Sequence, residues 1–275
     1  MTSTGKTTVV AGGTDGMGRA IALARLRAGD AVVVIGRSGR KAAELARAAG
    51  GGALTFLPAD LSSTAETRRV AERIAAGHDR VDALVLTANR QSFRRAETPE
   101  GLEATFALYY LSRYLLAREL APLLAAAPDP LVVNIAGPGV RRGRIRWDDL
   151  QLRERYHPLT AQLQAGRAND LLAVSSAADP RLRAKYVLHH PGFTRTGALD
   201  QFPQPLRALV KLYARFAARS VEQAVALPLT WVENPPERRL TVDDRGEPVD
   251  LSQSMFDPAA AARLAEATEA LLSRR

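Results

Sequence analysis

The residues whose types and spacing most directly imply chemistry are the glycines of Ala11-Gly12-Gly13-Thr14-Asp15-Gly16-Met17-Gly18. They follow the apolar stretch Thr7–Ala11 and lead into the helix-forming run Arg19–Ala28. Glycines at a strand-to-helix turn let the chain bend tightly. They also let a pyrophosphate approach the helix N-terminus, where free N–H groups and the helix dipole favour negative charge. At the end of the second apolar stretch, a site built for an unphosphorylated adenine ribose would carry a carboxylate. This chain carries Gly36-Arg37-Ser38, with Arg40 and Lys41 close behind. A 2′-phosphate would be attracted there, and the expected cofactor is NADP(H).

Other chemical patterns carry less. Gly5-Lys6-Thr7 lacks the upstream glycine of a phosphate-binding P-loop. His189 and His190 are adjacent on a strand and so point to opposite faces, which makes a shared metal ion difficult. Asp148 and Asp149 read as solvated loop carboxylates. The chain has no cysteine, which excludes disulfides and thiolate metal sites, and no metal is expected.

Apolar, β-branched runs alternate with alanine- and leucine-rich stretches to about residue 190, with no break in pattern. The strands are expected at Thr7–Ala11, Ala31–Ile35, Leu54–Leu57, Val81–Thr87, Leu131–Ile135 and Lys185–His189. Ser63 with Glu66 reads as a capping box, and Thr98-Pro99 as an N-cap with proline at N1. This alternation predicts a single α/β domain over residues 1–275: a Rossmann-type, doubly wound parallel sheet of about seven strands with helices on both faces. Pro191, Pro203 and Pro205 then break the pattern around a basic amphipathic helix, Leu206–Ala218, expected to form a substrate lid over about 193–220. A capped helix, Asp257-Pro258 with Ala259–Ser273, is the last element.

The formal charge of +9 rests on arginines scattered through the chain, and aromatic residues make up only 5%. That arrangement supplies no base-stacking platform and argues against nucleic acid. No segment has the length of a membrane span and no signal peptide is visible, so a cytoplasmic protein is expected.

The glycine spacing is joined by further landmarks: Ala59-Asp60-Leu61, Leu84-Val85-Leu86-Thr87-Ala88-Asn89, Gly101–Phe106, Trp147–Leu150, and His190-Pro191-Gly192 with Thr196. On these the chain resembles the short-chain dehydrogenase/reductase family, and within it the retinol-dehydrogenase-like branch. The resemblance implies that Gly12, Thr14, Asp15, Gly16, Met17, Gly18, Arg37, Asp60, Leu61, Ala88, Asn89, Pro191, Gly192 and Thr196 hold the dinucleotide.

It also implies a catalytic set: a tyrosine with a lysine four residues on, a serine and an asparagine. Here Gln162 stands for the tyrosine and Gly166 for the lysine, inside the matched flanks Tyr156 and Ala168-Asn169. Val133–Gly137 has no hydroxyl where the serine belongs, Tyr109 replaces the asparagine, and no tyrosine is followed by a lysine four residues on. Tyr109, Tyr156 and Gln162 are therefore the candidate replacement catalysts, with Arg167 as a charge near the lysine position.

The expected activity is oxidation or reduction of a fairly apolar alcohol or carbonyl at a rebuilt site. One alternative is a non-redox enzyme on the same fold, a cyclase, dehydratase or isomerase. Another is a non-catalytic nucleotide-binding protein. Arg207, Lys211, Arg215 and Arg219 offer a surface for an acidic carrier protein, and a homo-oligomer fits either reading.

Overall fold

Residues on alternate positions of each strand point to opposite faces, and here both faces are apolar. Val9, Val33, Leu84 and Val132 pack on one side of the sheet, and Val10, Val34, Val85 and Val133 on the other. Strands of that kind are stable only when helices cover both faces. The computed structural model, which describes residues 5–90, 92–137, 142–192 and 220–273, has that arrangement.

In chain order the elements are β1 (Thr7–Ala11), α1 (Gly16–Arg27), β2 (Ala31–Gly36), α2 (Gly39–Ala49), β3 (Leu54–Pro58), α3 (Thr64–Gly77) and β4 (Ala83–Leu86). Then α4 (Ala104–Phe106) passes through a π-helical turn (Ala107–Leu111) into α5 (Ser112–Glu119), followed by α6 (Ala121–Ala125), β5 (Leu131–Ile135) and α7 (Pro158–Ala178). The chain continues with β6 (Lys185–His190), α8 (Val221–Glu233), β7 (Leu240–Asp244), β8 (Glu247–Pro248), a short 3-10 turn and α9 (Pro258–Ser273).

The sheet order is β3-β2-β1-β4-β5-β6-β7-β8, parallel except for the β7–β8 pair. This is the expected Rossmann-type sheet, with eight strands among the described residues. The strand order reverses between β1 and β4, and the crevice at the carboxyl ends of such strands is where ligands bind in open α/β sheets.

Two local expectations are corrected. Thr98 does not cap a helix: its backbone N–H donates to Leu102 O at 2.8 Å and its carbonyl accepts from Gly101 N at 2.8 Å, closing a turn. The helix begins five residues beyond Pro99, where the Glu103 carboxylate accepts from Thr105 N at 2.9 Å and Phe106 N at 2.7 Å. The Ser63 box is only half formed. Ser63 Oγ accepts from Glu66 N at 3.2 Å, but the Glu66 carboxylate takes Asp60 N at 2.8 Å instead of the Ser63 backbone.

Glu100 completes that corner. Its carboxylate accepts from Ser63 Oγ at 2.5 Å and Ala65 N at 3.2 Å, pinning the loop after β4 to the start of α3. Partial burial pushes its pKa up, but bonds from Ser63, Thr98 and Ala65 overcome this and hold it at about 2, against the usual 4.5. A depressed carboxylate contributes stability above its unfolded pKa and loses it as pH falls through the folded one. The Glu100→Gln variant should therefore show a shallower acid destabilisation between pH 4.5 and about 2 than the parent. Urea midpoints measured across that window would check it, and parallel curves would refute it.

Among the described residues no helix is long and apolar enough to cross a membrane. The expected lid and its basic helix, with Arg207, Lys211, Arg215, Arg219 and Thr196, lie outside the described residues.

Candidate active site

The glycine loop forms a cradle that side chains would fill. Gly12 has φ +82°, and a Cβ there would lie 2.9 Å from the Ala88 backbone. A Cβ on Gly18 would lie 2.4 Å from Gly12 O and 2.5 Å from Thr87 Oγ1. β1, β4 and the start of α1 therefore approach each other more closely than any larger residue permits. Thr87 Oγ1 donates to Ala11 O at 2.7 Å, tying the ends of the two central strands together. Asp15 caps α1 by accepting from Gly16 N at 2.8 Å, and its carboxylate is paired with Lys41. Burial opposes ionisation of Asp15, but Lys41, the Gly16 N–H and Arg19 keep its pKa below the usual value.

Just beyond β3, Asp60 accepts from Ser62 N at 2.9 Å and Ser62 Oγ at 2.7 Å. Its other oxygen lies 3.9 Å from Arg37, whose side chain is 57% exposed. Partial burial raises the Asp60 pKa, and the Ser62 bonds with Arg37 and Arg90 more than reverse this. Of the three basic residues near β2, Arg40 is paired with Glu44 at 2.5 Å and Lys41 with Asp15, leaving Arg37 the most loosely held. The cradle and the Arg37–Asp60 pair suit the phosphates and adenine of a dinucleotide. Leu61 is buried beside them, and Asn89 is exposed at the end of β4.

The catalytic candidates separate in space. Gln162, on α7, reaches over the end of β4, with Nε2 at 3.5 Å from Asn89 Oδ1 and 3.4 Å from Arg90 O. Tyr156 precedes α7 and donates to Ser92 O at 2.9 Å, anchoring the β4–α4 loop. Burial raises its pKa, against bonds from Thr105 and Ser92. Tyr109 sits in the π turn with 7% exposure. Burial raises its pKa, while Arg113 and the backbone N–H of Gly137 pull it down and Asp170 adds to the rise.

Arg167 does not extend into solvent: Nε donates to Gly143 O at 3.0 Å and Nη1 lies 3.4 Å from Asp170. A Cβ on Gly166 would meet nothing within 4 Å among the described residues, which leave the side of α7 at the expected lysine position open.

Beneath these residues runs a buried polar network that was not anticipated from the sequence. Asn134, fully buried on β5, donates to Asn169 Oδ1 at 2.9 Å and Tyr186 Oη at 2.8 Å. Asn169 in turn donates to the Tyr109 carbonyl and to Ala165 O, both at 2.8 Å. Arg113 enters from α5, donating to the Asn134 side chain, to Ile135 O at 2.9 Å and to Ala88 O at 3.0 Å. Its guanidinium carbon stands 4.6 Å from the centroid of the Tyr109 ring. The only signal in the sequence is a basic residue one helical turn after Tyr109.

The two histidines have separate partners. His189 Nδ1 lies 2.6 Å from Asp243 Oδ1, and His190 Nδ1 lies 2.8 Å from Asp244 Oδ1, following the β6–β7 register. Asp149 accepts from Arg153 N at 2.9 Å and Glu154 N at 3.2 Å, closing a turn.

Residues 6–147 match the model of the short chain dehydrogenase family. A Streptomyces sp. (strain C5) protein named "Putative daunorubicin C-13 ketoreductase DnrU" is 31% identical over 276 residues, covering 97% of this chain and 92% of that protein. Retinol dehydrogenase 14 of Mus musculus is 27% identical over 221 residues, 74% of this chain and 66% of the enzyme. Among solved structures, an uncharacterized protein from Mycobacterium paratuberculosis superposes with a TM-score of 0.74 at 24% identity, covering 97% of this chain and 92% of its own. A short chain dehydrogenase from Shigella flexneri, complexed with NADP, superposes with a TM-score of 0.66 at 19% identity, covering 88% of this chain and 97% of its own.

Proposed function

The chain belongs to the short-chain dehydrogenase family, in its retinol-dehydrogenase-like branch, and from that premise we propose that it is an NADP(H)-dependent reductase of an apolar ketone or aldehyde. The observation that carries the reading is the cradle at the β1–β4 switch point, where a Cβ on Gly12 or Gly18 would collide with backbone. Backbone drawn that close, against a helix N-terminus, suits a pyrophosphate. Gly12, Thr14, Asp15, Gly16, Met17 and Gly18 would line the phosphates, Asp60 and Leu61 the adenine, and Ala88, Asn89, Pro191 and Gly192 the remainder. Thr196 would join them from beyond the described residues. Bound there, the reduced nicotinamide supplies a hydride.

The protein's own task is to orient the carbonyl and deliver a proton to its oxygen, because hydride arrival at the carbon leaves an alkoxide. With Gln162 and Gly166 at the positions of the family's tyrosine and lysine, we assign the proton to Tyr109. Its environment reaches the Gly137 N–H, beside the place where the family carries a serine hydroxyl. Gln162 serves as a fixed hydrogen-bonding group at the rim, since its amide cannot titrate. Tyr156 serves as the anchor of the β4–α4 loop.

Because burial raises the Tyr109 pKa, the phenol is protonated near neutral pH and favours reduction over oxidation. Incubation with NADPH and a panel of apolar ketones should consume the cofactor's absorbance in step with alcohol formed. Conversion of substrate in the absence of NADPH would overturn the redox reading and favour the cyclase, dehydratase or isomerase alternative. Binding of NADPH without any conversion across the panel would favour a nucleotide-binding protein.

The assignment of NADP(H) over NAD(H) rests on Arg37. A charge-assisted bond to phosphate is worth about 1.5–3 kcal/mol, and the exposure of Arg37 places it at the low end. The Arg37→Ala variant should weaken NADPH binding about tenfold and leave NADH binding almost unchanged, as measured by fluorescence titration of each nucleotide. Equal losses for both nucleotides would remove the argument for the phosphate.

A further inference from the structure

Arg113 is fully buried, yet among the described residues no carboxylate faces it. The contrast is Arg25, nearly as buried, whose guanidinium meets Asp30 at 2.7 and 3.0 Å. Arg113 has instead two backbone carbonyls, the Asn134 side-chain oxygen and the face of the Tyr109 ring, and its Nε has no hydrogen-bond partner. Burying a guanidinium against neutral oxygens alone is costly, and an ion pair is the usual remedy. The nearest group able to become an anion is the phenol one helical turn away.

We propose that Arg113 is the fixed positive support of Tyr109, taking the part that lysine plays in the rest of the family: it holds the ring from beneath and stabilises the phenolate left when the proton is given up. The proposal rests on the assignment of Tyr109 as proton donor. When the substrate oxygen takes that proton, the phenolic O–H bond breaks and its electron pair stays on the Tyr109 oxygen. A proton from water later restores the phenol.

Arg113 acts through Tyr109 and is thus a positioning residue. The same guanidinium, bound to Ala88 O and Ile135 O, clamps the ends of β4 and β5. Among the described residues, the charged and titratable groups around the ring are Arg113 from α5, Asp170 from α7 and, beyond the guanidinium, Tyr186 from β6; the Gly137 N–H adds a dipole at the end of β5. Asp170 opposes the phenolate, so among the described residues Arg113 supplies the nearby full charge that favours it.

The test uses the unliganded protein labelled with ring-fluorinated tyrosine, which brings phenol ionisation into an accessible pH range. Fluorine NMR follows each tyrosine, and Tyr109→Phe identifies the resonance of interest. In Arg113→Met the Tyr109 midpoint should rise by about one to two pH units, a ten- to hundredfold loss in ionisation. In Arg113→Lys, which keeps the charge and loses the two-carbonyl clamp, it should stay within a few tenths of a unit. A folded Arg113→Met with an unmoved midpoint would overturn the proposal. So would an Arg113→Lys midpoint that rises by a full unit, which decides the matter even if Arg113→Met fails to fold. The proton-donor assignment fails separately, if Tyr109→Phe retains reductase activity while the coupling to Arg113 is observed.

Discussion

Tyr109→Phe is expected to lower the reductive kcat by about 10²–10⁴-fold, the range in which a positioned general acid contributes. The change deletes one oxygen and keeps the ring, so the stack under Arg113 at 4.6 Å survives and the fold is undisturbed. NADPH affinity should be almost unchanged, because the deleted oxygen belongs to Tyr109, which packs on one face of the sheet, whereas α1, the helix that the glycine cradle opens, packs on the other. The split between kcat and cofactor binding is therefore diagnostic. Steady-state rates and nucleotide titration on the same preparation measure it. A variant with parental kcat would remove Tyr109 from the chemistry and leave an ordered water as the proton source.

The pH dependence has a definite sign. A donor works while protonated, and burial raises the Tyr109 pKa. Reduction should thus be level through neutral pH and decline only on the alkaline side.

Asp30→Ala should cost about 3–5 kcal/mol of stability, the range for removing one partner of a buried ion pair. Asp30, 3% exposed, accepts from Arg25 Nε at 2.7 Å, Arg25 Nη2 at 3.0 Å, Thr8 Oγ1 at 2.9 Å and Lys6 N at 3.2 Å. One carboxylate thereby joins the end of α1 to the first residues of β1. Its loss would leave Arg25 with Glu233, whose side chain is 58% exposed, and would strand the Thr8 hydroxyl. Removing both charges is much less harmful than removing one. Arg25→Met combined with Asp30→Ala should recover a large share of the lost stability. Urea denaturation of the single and double variants tests both statements, and a single-variant loss below about 1 kcal/mol would show that water replaces the carboxylate.

The glycine turn between β1 and α1 was readable from the residues because backbone constraints select residue types. Only glycine fits at Gly12 and Gly18, and the absence of an acid at Gly36-Arg37-Ser38 needs no structure to notice. The strands were legible for a related reason: a segment buried on both faces must be apolar throughout. Leu240–Asp244 escaped because β7 lies near the sheet edge and ends in two aspartates that face histidines of β6. Its polar half resembles a loop until its partner is known. Thr98-Pro99 misled because Thr98 closes a turn, while Glu103, a residue seldom read as a cap, starts the helix. The centre of the network was hidden for a different reason. Arg113 lies in Leu111-Ser112-Arg113-Tyr114, where one arginine among many carries no mark of being buried. What distinguishes it is a three-dimensional fact, the convergence of Asn134, Ala88 and Ile135 on one guanidinium.

The π turn at Ala107–Leu111 also limits how this gene can change. Such a turn amounts to one extra residue within an α-helix, so deleting one residue would close it to plain α-helix with both flanks in phase, whereas adding one would rewind everything downstream by about 100°. On the downstream side Arg113 is held to β5, while Tyr114 and Arg118 are held to Glu269 of α9. Upstream, Glu103 fixes where the helix starts. Both borders are fastened, so the turn can absorb one lost codon, but a gained codon or a second loss would tear one set of attachments whichever way the strain relaxed. Natural variation in the length of this stretch should be confined to the loss of that one residue, with every other change an exchange of letters.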